Sequence, residues 1–182
     1  FVDLVHPSRT RGESQKKYSL NPNIKTVGLL PGSRMNEVNS LLDVMIQAAQ
    51  KIHSELGSCQ FLLPVADSID PELVRQRLGD NPLGIQLVEG EPYDVMNSCD
   101  MVIIASGSAT LESGILGCPM VIIYKLNPLT YLLAKLLVNA PLVGLVNIVA
   151  EEEVVPELIQ GKVTAENISA EVLAVLQDPE KE

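Results

Sequence analysis

Two short stretches of this 182-residue chain carry side chains suited to holding an anion. In Leu30-Pro31-Gly32-Ser33-Arg34, Gly32 allows close backbone approach, Ser33 can cap a helix or donate a hydrogen bond, and Arg34 is a permanent cation. In Ala105-Ser106-Gly107-Ser108-Ala109-Thr110-Leu111-Glu112, an apolar run passes straight into small and hydroxyl residues. A helix opening there would offer the leading N–H groups around Gly107, Ser108, Ala109 and Thr110, and the positive end of its dipole, to a diphosphate. Glu112, one turn further on, is an odd neighbour for a phosphate, but a carboxylate can accept from both hydroxyls of a ribose. Lys125, just past another apolar run, would add charge to the same pocket. Each feature has a plainer reading: either loop equally fits a capped helix start packed on a sheet, and a single lysine fits an ordinary surface cation.

Other chemistries find less support. The second stretch is not G-x-G-x-x-G and lacks the G-K-[ST] of a P-loop, which disfavours a dinucleotide or an NTPase site. His6 and His53 are the only histidines, and no D-x-D occurs, so no metal site is expected. Cys59, Cys99 and Cys118 form no C-x-x-C pair and read as reduced core thiols. The run Glu151-Glu152-Glu153 reads as a solvated helix start. A net charge of −10, from 13 basic and 23 acidic residues, argues against nucleic acid.

The elements that must position these loops are legible in the periodicity. Apolar residues make up 46% of the chain and aromatics 3%, with no Trp, so the core is aliphatic, as in α/β proteins with buried parallel strands. Short apolar runs at 25–30, 59–65, 85–88, 101–105 and 119–124 read as strands. Between the first two, Val38, Leu41, Leu42, Met45, Ala49, Ile52 and Leu56 mark one long amphipathic helix stopped by Gly57. Shorter helices are expected over 71–79, 91–99 and 108–117. This alternation predicts an α/β fold: a Rossmann-like parallel sheet with helices on both faces. Residues 1–23 show no convincing element and read as a linker remnant of a longer protein. Residues 24–125 form the Rossmann-like domain. Residues 126–182 read as a helical C-terminal tail, with helices over 127–138, near 153–160 and over 165–177, packing on the sheet or on a partner. The 127–138 segment is apolar over most of its circumference through Leu129, Leu132, Leu133, Leu136, Leu137 and Val138, so it is expected to be covered, by self-association or tail exchange if not by its own sheet. No apolar stretch reaches the ~18 residues of a membrane-spanning helix.

Four fragments in register, LLPGSR-x-x-EV at 29–38, ASGSATLE at 105–112, GCPMVIIYK at 117–125 and GLVNIVA-x-x-EVVPELIQ at 144–160, resemble lipid-A-disaccharide synthase. The likeness covers nearly all of this chain but only the C-terminal half of the family's length. It implies the two-domain glycosyltransferase B architecture, with this domain holding the UDP-sugar donor. The implied reaction is inverting: 2,3-diacylglucosamine passes from UDP to 2,3-diacylglucosamine 1-phosphate, UDP leaves, and a β-1,6-linked disaccharide of lipid A synthesis results. The implied place is the cytoplasm, peripheral to the inner face of the inner membrane of a Gram-negative bacterium, where the lipid acceptor lies.

On that basis Gly32, Ser33, Arg34, the Ser108–Thr110 amides and Lys125 would stabilise the departing diphosphate without metal or cofactor. Glu112 would hold the ribose, Asn147 would face the donor, and the loop Glu89–Val95 would wall the uracil. The motif's usual Ala-Gly is Ala150-Glu151 here. The general base is implied in the other half, so this chain is expected to bind UDP without turnover. A UDP-N-acetylglucosamine 2-epimerase-like domain, or a noncatalytic UDP-binding module, is the alternative.

Overall fold

A computed structural model describes residues 5–126 and 142–178. The apolar segment 127–138 and any self-association through it lie outside the described residues. Six strands form one parallel sheet in the order β3-β2-β1-β4-β5-β6. They are β1 (Thr26–Leu30), β2 (Gln60–Val65), β3 (Gln86–Glu89), β4 (Met101–Ala105), β5 (Met120–Tyr124) and β6 (Glu157–Ile159). The helices are α1 (Arg11–Lys17), α2 (Met35–Leu56), α3 (Pro71–Leu78), α4 (Pro92–Ser98), α5 (Ser108–Ile115), α6 (Leu145–Ala150) and α7 (Ala165–Leu176). This is the Rossmann-like fold read from the alternation.

The strands that run as continuous apolar stretches are the ones buried on both faces. Every residue of β1 and β4 is buried. On one face Val27, Leu29, Met101, Ile103 and Val121 meet Leu42, Met45 and Ile52 of α2 and Ile168 and Val172 of α7. On the other, Leu62, Val102, Ile104 and Ile122 pack against Val95 and Met96 of α4, with α5 alongside through Ala109 and Leu116. The α2 stripe is buried from Val38 to Ile52, with Leu56 half-buried at its end, and truncating a residue such as Leu42 to Ala should cost about 2–5 kcal/mol. Gly57, in the left-handed region at φ 72°, ends that helix. Gly28 is required by close approach: a Cβ there would lie 2.8 Å from Val102 Cγ1.

All three thiols are buried and unpaired in disulfides. Burial raises each thiol's pKa, that of Cys59 to about 12 and that of Cys118 to about 11, so none is a ready nucleophile. Among the described residues, no helix is long and apolar enough to cross a membrane.

Two stretches differ from the reading of the sequence. The first 23 residues include α1, opened by a capping box in which Thr10 and Glu13 satisfy each other's backbone amides. Arg9 then reaches the buried carboxylate of Asp94 at 2.8 Å, and Arg11 reaches Asp100 at 2.6 Å. Lys17 and Tyr18 both donate to Glu91. These contacts fasten the start of the described chain to α4.

Residues near 153–160, expected to be helical, contain β6 instead. Pairing decides this: Ile122, Ile123 and Tyr124 of β5 lie in register with Glu157, Leu158 and Ile159. An open sheet edge outweighs the weak helical preference of so short a segment. The sheet therefore continues past residue 125, and α7 packs on α2 as an outer layer of the same core.

Candidate functional site

Strand order reverses direction between β1 and β4, each neighbouring the other while their connections run to opposite sides. At such a switch point the loops beyond the carboxyl ends part and leave a crevice. A cleft of ≈ 520 Å³ lies there. Gly32, Ser33, Arg34 and Glu37 follow β1, while Ala66 and Asp67 follow β2. Gly90, Pro92 and Met96 close one wall, and Ser106 to Ala109 with Glu112 close the other. The two stretches singled out in the sequence are thus brought together from positions some 70 residues apart in the chain.

The α5 side is open to an anion. Gly107 precedes the helix with an extended backbone and supplies no side-chain cap. The leading amides of Ser108 and Ala109 therefore have no intrahelical acceptor. Thr110 differs from expectation. It is fully buried, and both its N–H and its hydroxyl turn back to Gly107 O, at 3.1 and 2.8 Å. It shapes the turn and offers no donor to the cleft. Ser106 is likewise spent on structure, its hydroxyl donating to Val143 O at 2.9 Å.

The α2 side is partly filled by the protein itself. Glu37 Oε2 accepts from the Ser33 and Arg34 amides at 3.1 and 3.2 Å, and Oε1 accepts from Arg34 Nη1 at 3.1 Å. Ser33, expected to cap α2 or to donate, has its N–H taken and its carbonyl bound by the Ser68 hydroxyl at 2.7 Å; Arg34 holds the N-cap position. Gly32 sits at φ 109°, and a Cβ there would lie 2.2 Å from Glu37 Oε2. Arg34 itself remains 81% exposed along its side chain, so its guanidinium is available at the cleft rim.

Glu112 faces the cleft from α5, and Tyr93 of α4 stands beside it. Burial raises the Glu112 pKa, and the nearby Tyr93 hydroxyl partly offsets that rise by favouring the ionised form. Burial, then the neighbouring Glu112 charge, raises the Tyr93 pKa. Of the segment 89–95, Gly90 and Pro92 line the cleft, with Met96 from the next turn of α4 beside them.

Two expected site residues lie elsewhere. Lys125 is not among the residues lining the cleft. The chain after β5 turns toward β6, where Leu126 exchanges hydrogen bonds with the Gln160 side chain at 2.9 and 3.2 Å. Asn147 is fully buried. Its amide donates to Val155 O and Glu157 Oε1, both at 2.8 Å, and its carbonyl accepts from the Val154 and Val155 amides. With every donor and acceptor engaged, it organises the α6–β6 turn and does not face the cleft. Glu151 follows in the left-handed region at φ 59°, an exposed end of α6, a conformation that a glycine would adopt without strain.

Reading residue types alone passed over Glu37, Asp67 and Met96, and took Tyr93 only as part of the 89–95 wall, not as a neighbour of Glu112. Only Glu37 left a signal, as the acid three residues after Arg34 at a helix start. Asp67 and Tyr93 sit in unremarkable local sequence and acquire a place only when β2 and α4 are folded. Among the described residues, no three His, Cys, Asp or Glu side chains converge as a metal site.

The family profile for lipid-A-disaccharide synthetase matches residues 1–182. This chain belongs to that family. A lipid-A-disaccharide synthase of Syntrophus aciditrophicus (strain SB) is 40% identical over 182 residues, spanning 100% of this chain and 48% of the relative. One from Geobacter sulfurreducens is 41% identical over 179 residues, spanning 98% and 47%. The chain thus spans about half the length of the curated synthases it matches.

Solved structures share the fold at low identity. Escherichia coli ADP-heptose LPS heptosyltransferase II superposes with a TM-score of 0.65 at 13% identity, covering 93% of this chain and 52% of that one. The spinosyn rhamnosyltransferase SpnG gives 0.59 at 21%, covering 91% and 40%. A putative UDP-N-acetylglucosamine 2-epimerase from Listeria monocytogenes also gives 0.65, at 13% identity, covering 99% and 43%. The fold is common to these glycosyltransferases and to the epimerase, so the family match and not the fold separates the two readings.

Proposed function

We propose that this chain is the C-terminal, donor-binding half of a lipid-A-disaccharide synthase and that it binds UDP in the cleft at the β1–β4 switch point. The observation that carries the reading is the meeting there of the uncapped start of α5, the Arg34 guanidinium and the Glu112 carboxylate.

Glycosyl transfer to an acceptor hydroxyl breaks the bond between the sugar's anomeric carbon and a phosphate oxygen of UDP. Negative charge then builds on the departing diphosphate. Preorganised donors at that place lower the barrier because they need no rearrangement as the charge develops. The Ser108 and Ala109 amides and the α5 dipole supply such donors, and Arg34 adds a full positive charge. Glu112, beside Tyr93, accepts from the ribose hydroxyls. Gly90, Pro92 and Met96 offer a mostly apolar wall to the flat face of the uracil.

In the whole protein the donor is UDP-2,3-diacylglucosamine and the acceptor 2,3-diacylglucosamine 1-phosphate, with inversion to a β-1,6 linkage. The base that takes the acceptor's proton belongs to the other half, as does much of the lipid acceptor surface, so this chain alone binds without turnover. Binding needs no metal. The work is done in the cytoplasm at the inner face of the inner membrane.

Titration calorimetry with UDP tests the reading. The expected result is binding that EDTA leaves unchanged. Arg34→Ala should weaken it about tenfold or more, the scale of one charge-assisted contact. Joining the chain to the N-terminal half of a lipid-A-disaccharide synthase should give transfer from UDP-diacylglucosamine. No binding by a folded sample at millimolar UDP, EDTA-sensitive binding, or turnover by the chain alone would contradict it.

A further inference from the structure

Glu37 lies in the cleft wall, yet the donor chemistry above gives it no task. Its carboxylate is the centre of the β1–α2 turn. One oxygen closes the concavity made by the Ser33 and Arg34 amides, and the other pairs with the Arg34 guanidinium. The turn is built around that group, since at Gly32 any side chain would overlap it. Two effects oppose each other here. A carboxylate beside a phosphate site repels the ligand, and it occupies two amides a phosphate would otherwise take. Against that, it holds a long, exposed cation in one place before the ligand arrives, so less rotamer freedom is lost on binding.

The geometry decides in favour of the second effect. Glu37 is shared among three donors and only 24% exposed, so its charge is compensated within the turn. The guanidinium spends one N–H of its fork on the pair. The remaining donors stay free for an anion.

We infer that Glu37 is a positioning residue for the departing diphosphate, acting through Arg34. The inference rests on the nucleotide reading above and assigns the part of the turn that aims its cation. A carboxylate that merely capped α2 would support the helix equally well whether or not Arg34 were present. One that aims Arg34 has nothing left to act on once Arg34 is gone.

A double-mutant cycle on UDP affinity separates these roles. Calorimetry would compare the unsubstituted chain, Glu37→Ala, Arg34→Ala and the double variant. Coupled neighbours of this kind should show Glu37→Ala weakening UDP roughly threefold to tenfold alone, and less than about twofold on the Arg34→Ala background. Where the alanine variant does not fold, Glu37→Gln keeps an acceptor for the two amides and should show the same dependence on Arg34. Equal losses on both backgrounds would reduce Glu37 to a helix cap and overturn the inference. Tighter UDP binding by Glu37→Ala would overturn it too, by making the carboxylate a rival of the phosphate. If the unsubstituted chain bound no UDP, the nucleotide reading would fail first and this inference with it.

Discussion

The Asn147 amide donates to Glu157 Oε1 at 2.8 Å, and the same carboxylate oxygen accepts from the Gly144 backbone at 2.8 Å. The N-cap and the middle of α6 are thereby tied to the edge strand β6. Replacing Asn147 by Ala would leave several part-buried groups of Val154, Val155 and Glu157 without their partner, so the expected loss is about 1–3 kcal/mol of stability. Urea unfolding measures it, and UDP affinity per folded molecule should stay the same. Lost affinity at unchanged stability would instead return Asn147 to the binding site.

Glu151 ends α6 with a positive φ of 59°. A side chain in that conformation is strained by roughly 1 kcal/mol, which a glycine avoids. Glu151→Gly is therefore expected to raise the unfolding free energy by about 0.5–1 kcal/mol. Thermal or urea unfolding reads this directly, and an unchanged or lower stability would contradict it.

Glu112 should make UDP binding depend on pH. Its pKa is raised by burial, and in the proposed binding mode the ionised form is the one that accepts from both ribose hydroxyls. As pH falls through that raised value, binding should weaken. Tyr93→Phe removes the neighbouring hydroxyl that favours the ionised form, so the loss should set in at a higher pH. Glu112→Gln supplies the baseline, because whatever pH dependence survives in it belongs to the UDP phosphates. Identical profiles for the unsubstituted chain and Glu112→Gln would remove the carboxylate from the site.

The brace between α1 and α4 should be sensitive to acid. Hydrogen bonds from Lys17, and then from Tyr18, lower the Glu91 pKa below its ordinary value. A lowered carboxylate contributes stability that is present above its unfolded pKa and lost as pH falls through the folded one. Stability should therefore decline on the acid side, and Glu91→Gln should flatten that decline in urea titrations between neutral and acidic pH. An unaltered acid limb would mean that the brace is screened away by solvent.

Much of this was open to reading because the fold repeats one simple rule. Strands such as Met101–Ala105, buried on both faces, show as unbroken apolar runs, while α2 shows a stripe with a three- and four-residue period. Gly32 and Gly107 mark where such runs stop at loops. What stayed hidden depended on partners distant in sequence. Glu157–Ile159 is a strand only because β5 offers it an edge, and α1 is held by charges near 91–100. Asn147 sits in a motif typical of a binding site, yet its hydrogen bonds are local and inward. Thr110 shows the same limit: a hydroxyl beside a phosphate-like loop reads as a donor until its acceptor, Gly107 O, is seen.

A crystal of this chain soaked in UDP would bear most directly on the central claim. The expected density places the diphosphate at the Ser108 and Ala109 amides within reach of Arg34, the ribose against Glu112 and the uracil beside Gly90 and Met96. UDP bound outside the β1–β4 crevice, or a crevice left without UDP at millimolar concentration in an open lattice, would contradict it.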